Sequence, residues 1–151
     1  MEVYLASAAG LLSWCGKWRK IPTPLAHPTL LAACGADVAL ADSVNRLLYR
    51  QGRVSTLPPG VEVLRCWRNQ LLTLSSETNC LTLYDAHDYP LVTSPAGIRP
   101  CDCAVVDCQV IVCGCEDGCL RIFSLPDLRE IAAYPVPGCP MRVAADGGVL
   151  T

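Results

Sequence analysis

Four cysteines, Cys101, Cys103, Cys113 and Cys115, have the types and spacing in this chain that most suggest chemistry. They fall as two Cys-x-Cys pairs on either side of Asp107-Cys108-Gln109. If those three residues are the turn of a hairpin, Cys101 faces Cys115 and Cys103 faces Cys113. Alternation along each strand then puts all four on one side. Four gathered thiolates would be soft ligands for zinc or an iron–sulfur cluster. Against this, the corresponding residues one copy earlier in the chain are Glu62, Leu64, Leu74 and Ser76, of which the two leucines read as ordinary core. The Cys-x-Cys spacing also differs from the Cys-x₂-Cys of zinc ribbons. The expectation is therefore interior packing by reduced thiols, with no metal and no cofactor.

Three carboxylates, Asp37, Asp107 and Asp146, recur where one strand turns into the next. Gathered at one end of a ring they would make a polar-ligand or cation site. Aspartate is also a plain turn residue, and Asn69 occupies this region in another copy. His27 and His87 are the only histidines, both in connections, and no nucleophile motif accompanies them. The chain has no phosphate-binding glycine loop, no Ser-x-x-Lys and no His-Glu-x-x-His.

What must position these residues is a repeated unit. Leu71-Leu72-Thr73-Leu74 and Val110-Ile111-Val112-Cys113 start segments 39 residues apart. In that register Glu77 matches Glu116, Cys80 matches Cys119, Tyr84 matches Phe123 and Asp88 matches Asp127. Two fainter copies precede them, giving units 3–37, 38–70, 71–109 and 110–148 of one domain spanning 1–151. Each unit opens with an apolar strand, here called B: Val3 to Ala6, Val38 to Ala41, Leu71 to Leu74 and Val110 to Cys113. A tight turn follows at Ala9-Gly10, Val44-Asn45, Thr78-Asn79 or Asp117-Gly118, where Gly and Asn tolerate positive φ. Strands C and D come next, then a proline- or glycine-rich connection such as Leu57-Pro58-Pro59-Gly60 or Ser94-Pro95-Ala96-Gly97. An innermost strand, A, leads into the next unit: Leu30 to Cys34, Val61 to Trp67, Cys101 to Val106 and Met141 to Ala145. No segment sustains a helical apolar period. A repeat of several strands every 20–50 residues is the mark of a propeller or solenoid.

The stretch Pro100 to Gly148, with proline entering strand A and the Glu-Asp-Gly-Cys-Leu-Arg-Ile-Phe hairpin, resembles the YVTN/lactonase-like and NHL-like β-propeller repeats. Leu81-Thr82-Leu83-Tyr84-Asp85 resembles their third strand, which ends in Asp. WD-repeats match less well, because no Gly-His pair precedes strand A. The resemblance implies an all-β propeller of four-stranded antiparallel blades. About four are present, and a chain that begins in a strand B and stops three residues into another suits part of a six- to eight-bladed ring. Closure into a four-bladed ring, with Met141 to Ala145 joining the N-terminal strands, is the other arrangement the ends suit.

Composition narrows function by exclusion. Hydrophobic residues make up 52% of the chain and charged ones 17%, well below the roughly 25% of ordinary globular domains. Segments buried on both faces, or an apolar surface needing a partner, would explain the deficit. The net charge of −2, with scattered arginines, offers no basic stripe for nucleic acid. Eleven cysteines are an odd number, which favours reduced thiols and a cytoplasmic protein. The early apolar run is followed, not preceded, by Lys17, Arg19 and Lys20, the reverse of signal-peptide order, and Ile21 to Ala36 is too short and proline-rich to span a membrane. The expected function is a non-catalytic scaffold for a protein or ligand, with self-association through open blade edges as the other mode of partnership. The alternative is a lactonase-like hydrolase with a carboxylate-held metal at the ring mouth.

Overall fold

The computed structural model describes residues 3–7, 10–114, 116–138 and 140–145, and every regular element among them is a β-strand. The strands form four antiparallel sheets, each a meander in chain order. The first has three strands: β1 (Val3–Ser7), β2 (Gly10–Trp14) and β3 (Trp18–Ile21). The second comprises β4 (Leu30–Cys34), β5 (Asp37–Asp42), β6 (Leu47–Arg50) and β7 (Arg53–Thr56). The third comprises β8 (Val61–Trp67), β9 (Gln70–Ser75), β10 (Cys80–Tyr84) and β11 (Pro90–Pro95). The fourth comprises β12 (Pro100–Val106), β13 (Gln109–Gly114), β14 (Cys119–Ser124) and β15 (Glu130–Pro135). These are propeller blades, and their first strands, β4, β8 and β12, pack side by side.

Turn chemistry explains why the chain reverses where it does. Between the first two strands of each four-stranded blade the positive-φ residue is Gly35, Arg68 or Asp107; between the second and third it is Arg46, Asn79 or Gly118. The carbonyl of that second residue accepts a backbone bond from the end of the blade's own last strand. Leu57 N donates to Arg46 O at 2.8 Å, Ala96 N to Asn79 O at 2.9 Å, and Val136 N to Gly118 O at 2.8 Å. The same closure repeats three times because the same local geometry is encoded three times.

The core lies between blades. Leu72 and Leu74 of β9 pack with Val110, Val112 and Phe123 of the fourth blade, whereas Leu71 packs with Ala39, Ala41 and Leu48 of the second. A strand covered on both faces has no solvent side, so β9 reads as a continuous apolar run rather than an alternating one. Each fully buried leucine contributes about 1.5–3 kcal/mol. Leu11, Leu25 and Leu40 form a smaller cluster joining the first blade to the second.

Several expectations need correction. Met141 to Ala145 is not a strand, and residues 140–145 run as irregular chain. Val149 to Thr151 lies outside the described residues. The positive φ after β5 sits at Arg46 rather than Asn45, because Asp42 closes the turn by accepting the Asn45 amide at 2.9 Å. Thiols are not all reduced: Cys34 of β4 and Cys66 of β8 form a disulfide, and Cys101 is also disulfide-bonded. The hairpin between β12 and β13 turns on two residues, Asp107 and Cys108, instead of three. Cys103 therefore pairs with Val112, and Cys113 with Asp102. A slip of one residue moves side chains to the opposite face, so Cys103 and Cys113 do not share one.

Candidate functional site

β4, β8 and β12 line a central channel, a cavity of about 460 Å³ whose wall is continued by Val143, Ala144 and Ala145. Small side chains such as Ala32, Ala33 and Ala104 keep it open. The two-residue turns that end these strands also set where their backbones point. In an antiparallel hairpin the residues flanking such a turn exchange both hydrogen bonds, and the pattern alternates from there. Cys34–Asp37, Trp67–Gln70 and Val106–Gln109 are the flanking pairs. The peptide groups of Ala33, Cys66 and Val105, one residue back, thus turn away from their partner strands and toward the channel.

One polar constellation stands in this wall. Arg65 of β8 reaches the next blade, donating from Nε to Cys103 O at 2.9 Å and from Nη2 to Asp102 Oδ1 at 3.0 Å, while Nη1 donates to its own neighbour, Leu64 O, at 3.2 Å. The Asp102 carboxylate, nearly buried, also accepts the Cys103 amide at 2.9 Å and the Val143 amide at 3.1 Å. Asp102 thereby ties three pieces of chain together: its own strand, the neighbouring blade and the segment after β15. The Cys103 thiol beside it is pushed up to about 12 by burial, so it stays protonated and unreactive.

The carboxylates expected at the ring mouth are placed differently from one another. Asp37 begins β5, half-buried and hydrogen-bonded to Gln51 Nε2. Asp107 is in the β12–β13 turn, exposed, and its carbonyl accepts Trp67 Nε1 at 2.6 Å. Asp146 lies outside the described residues. Of the cysteine set, Cys115 lies outside them too, Cys101 is in a disulfide, and Cys103 and Cys113 are buried on opposite faces of their hairpin. Among the described residues no three His, Cys, Asp or Glu side chains are grouped to hold a metal. His27 uses its backbone amide on Asp42 at 3.1 Å, and His87 Nδ1 lies 3.1 Å from Arg53 Nη1. A second cleft of about 450 Å³, between the third and fourth blades, holds Glu62, Glu77 and Glu116, and two of these carboxylates are engaged: Arg99 pairs with Glu116 at 2.9 Å and Ser76 Oγ donates to Glu62 at 2.7 Å.

Sequence reasoning singles out neither Arg65 nor Asp102 as a site residue. The signal belongs to Asp102, the single charged residue of its strand, since an unpaired buried charge is too costly to keep; Arg65 shares its strand with Glu62 and has no such mark.

No protein-family model and no curated protein sequence matches the chain. Solved structures do. A catalytically inactive virginiamycin B lyase from Staphylococcus aureus, solved with quinupristin, matches 97% of this chain over 57% of its own length, with a TM-score of 0.74 at 12% identity. Apo AztD from Citrobacter koseri matches 93% over 46% of its length, with a TM-score of 0.73 at 13% identity. The WD40 repeats of RRP9 match 83% over 44% of theirs, with a TM-score of 0.63 at 16% identity. The chain spans about half the length of these propellers. At such identities the likeness establishes the propeller fold, without support for YVTN or NHL repeats over other propeller families.

Proposed function

We propose that the chain is a non-catalytic binding scaffold. The observation that carries this reading is the use already made of its carboxylates. Asp42 accepts the Asn45 and His27 amides, and Asp85 accepts those of His87 at 2.8 Å and Tyr89 at 3.0 Å. The Tyr89 amide, followed by that of His87, holds the Asp85 carboxyl below the usual carboxylate range. Asp102 serves Arg65 and two backbone amides; Asp117 serves the Cys119 amide and Arg121; Asp127 serves Ser124. A carboxylate engaged by several donors has few lone pairs left for a metal or for a substrate proton. Asp37 and Asp107 enter the proposal as polar groups at the rim. Exposed Val3 and Leu5 on β1, and Ile131 and Tyr134 on β15, support a protein partner or a second copy at the outer and terminal strands.

The rival reading is a hydrolase of lactones or esters with a metal at the mouth. Incubating the purified chain with γ- and δ-lactones and aryl esters, with and without Ca²⁺ or Zn²⁺, separates the two. Background hydrolysis is the expected result. Saturable turnover abolished by Asp37→Asn or Asp107→Asn would overturn the scaffold.

A further inference from the structure

We propose that the central channel binds a small carboxylate with an apolar body, and that Arg65 takes the carboxylate. The inference deepens the scaffold reading and rests on it for the absence of turnover. Arginine has five N–H donors. Among the described residues Arg65 commits three, to Cys103 O, Leu64 O and Asp102. That leaves one hydrogen on each terminal nitrogen. The side chain is 40% exposed although both ends of its strand are built into the core, and the space it meets is the channel.

Asp102 does not close the site to an anion. Its charge is shared with two backbone amides, those of Cys103 and Val143, so the guanidinium is oriented by it without being fully neutralised. Three bonds from Arg65 fix the head group before any ligand arrives, which lowers the ordering cost of binding. Around it the wall supplies two further things. The peptide N–H groups of Ala33, Cys66 and Val105, directed inward by the hairpin alternation, are donors suited to carboxylate oxygens. The side chains of Ala32, Ala104, Val105 and Val143 give the rest of the molecule an apolar bed. The volume, about 460 Å³, falls in the range of small-molecule sites, which are mostly apolar with a few fixed polar groups. A cation would meet Arg65, the one charged side chain among the described lining residues. A neutral acceptor would engage its two hydrogens without the added strength of a charge-assisted pair.

Benzoate, benzyl alcohol and benzylamine have nearly the same shape and differ in the group offered to Arg65. Titrating each into the full ¹⁵N-labelled chain and following amide resonances needs no variant. Saturable benzoate binding is expected, at least about tenfold tighter than benzyl alcohol, as a charge-assisted pair allows, with shifts at Ala33, Cys66 and Val105 and none from benzylamine. Arg65→Lys keeps the charge but loses the planar head and should weaken benzoate about tenfold. Equal binding of the alcohol, shifts that map away from the three inner strands, or no saturable benzoate binding would each overturn the proposal. Lactone turnover would refute the scaffold alone, since the titration is read independently of it.

Discussion

Two junctions between blades are built from equivalent positions by different chemistry. Cys34 ends β4 and Trp67 ends β8, each followed by a two-residue turn whose first residue has positive φ, Gly35 or Arg68. Cys34 crosses to the next blade as a disulfide with Cys66. Trp67 crosses as a hydrogen bond from its indole to Asp107 O. On the third strand of each blade the contrast recurs. Arg50 pairs with Ala39 where Leu83 pairs with Leu72, and both Arg50 and Leu83 are fully buried. Ala39 leaves the room that a guanidinium needs. Arg50 then reaches the third blade, donating to Asn69 O at 2.7 Å and lying 3.7 Å from Asp88, which Arg53 also approaches at 3.7 Å. The junction of the second and third blades is thus covalent and ionic around an apolar centre, while that of the third and fourth, apart from Arg65 and one indole bond, is hydrocarbon. The same architecture tolerates both because each blade must only match its neighbour.

The largest expected effect comes from making the first junction resemble the second at Arg50. Arg50→Leu leaves Asp88 buried without one of its two cations, the one that is itself buried, and burial already pushes that carboxyl up against the pull of Arg50 and Arg53. Breaking a buried pair by removing one member costs about 3–5 kcal/mol. Urea unfolding should show that loss for Arg50→Leu and a much smaller one for Arg50→Leu with Asp88→Asn, which removes both charges. A single variant as stable as the wild type would mean that the ionic cluster contributes nothing to the junction.

Next in size is the disulfide. Cys34 and Cys66 are 32 residues apart, and a loop of that length gives a stabilisation of about 2–4 kcal/mol, mainly by restricting the unfolded chain. Cys34→Ser should lower the urea midpoint accordingly, and dithiothreitol should then have little further effect on it. If reduction lowers Cys34→Ser as much as the wild type, another bond, such as the one at Cys101, carries the redox sensitivity.

The contrast also explains what the sequence reveals. Strands β4 and β8 are read from it to the residue, because apolar runs bounded by turn residues are local signals. The turn residues Asn79 and Gly118 are legible for the same reason. Partners across a junction are not local. The Cys34–Cys66 bond depends on how two blades sit side by side, and neither cysteine's neighbours in the chain hint at the other. The cysteine hairpin differs from a three-residue turn by one residue because Asp107 adopts positive φ and shortens the turn, a choice that Asp-Cys-Gln leaves open. Buried Arg50 looks like an ordinary strand end, and the clue, a small Ala39 opposite a large side chain, needs the pairing to be known first. Of the candidate site, the strands that form the channel were legible, but the side chains Arg65 and Asp102 that give it chemistry were not.

The smallest effect sharpens the comparison most, since it isolates one hydrogen bond. Trp67→Phe keeps most of the ring within the apolar cluster of the third and fourth blades and removes only the indole N–H and part of the packing. Asp107 lies in an exposed turn, so its freed carbonyl can turn to water, and the cost should be near that of an ordinary hydrogen bond, about 0.5–1.5 kcal/mol, with a modest packing loss added. Arg68, whose guanidinium sits 4.6 Å from the centre of the Trp67 ring, loses little, because an exposed cation–π contact contributes only about 0.5–1 kcal/mol and phenylalanine retains some of it. Urea unfolding of Trp67→Phe beside Cys34→Ser compares the two crossings directly. The disulfide variant should be the weaker protein by about 1–3 kcal/mol. A Trp67→Phe loss equal to or greater than that of Cys34→Ser would show that the apolar junction depends on its indole bond as much as the other depends on a covalent one, and that the two are closer in kind than their chemistry suggests.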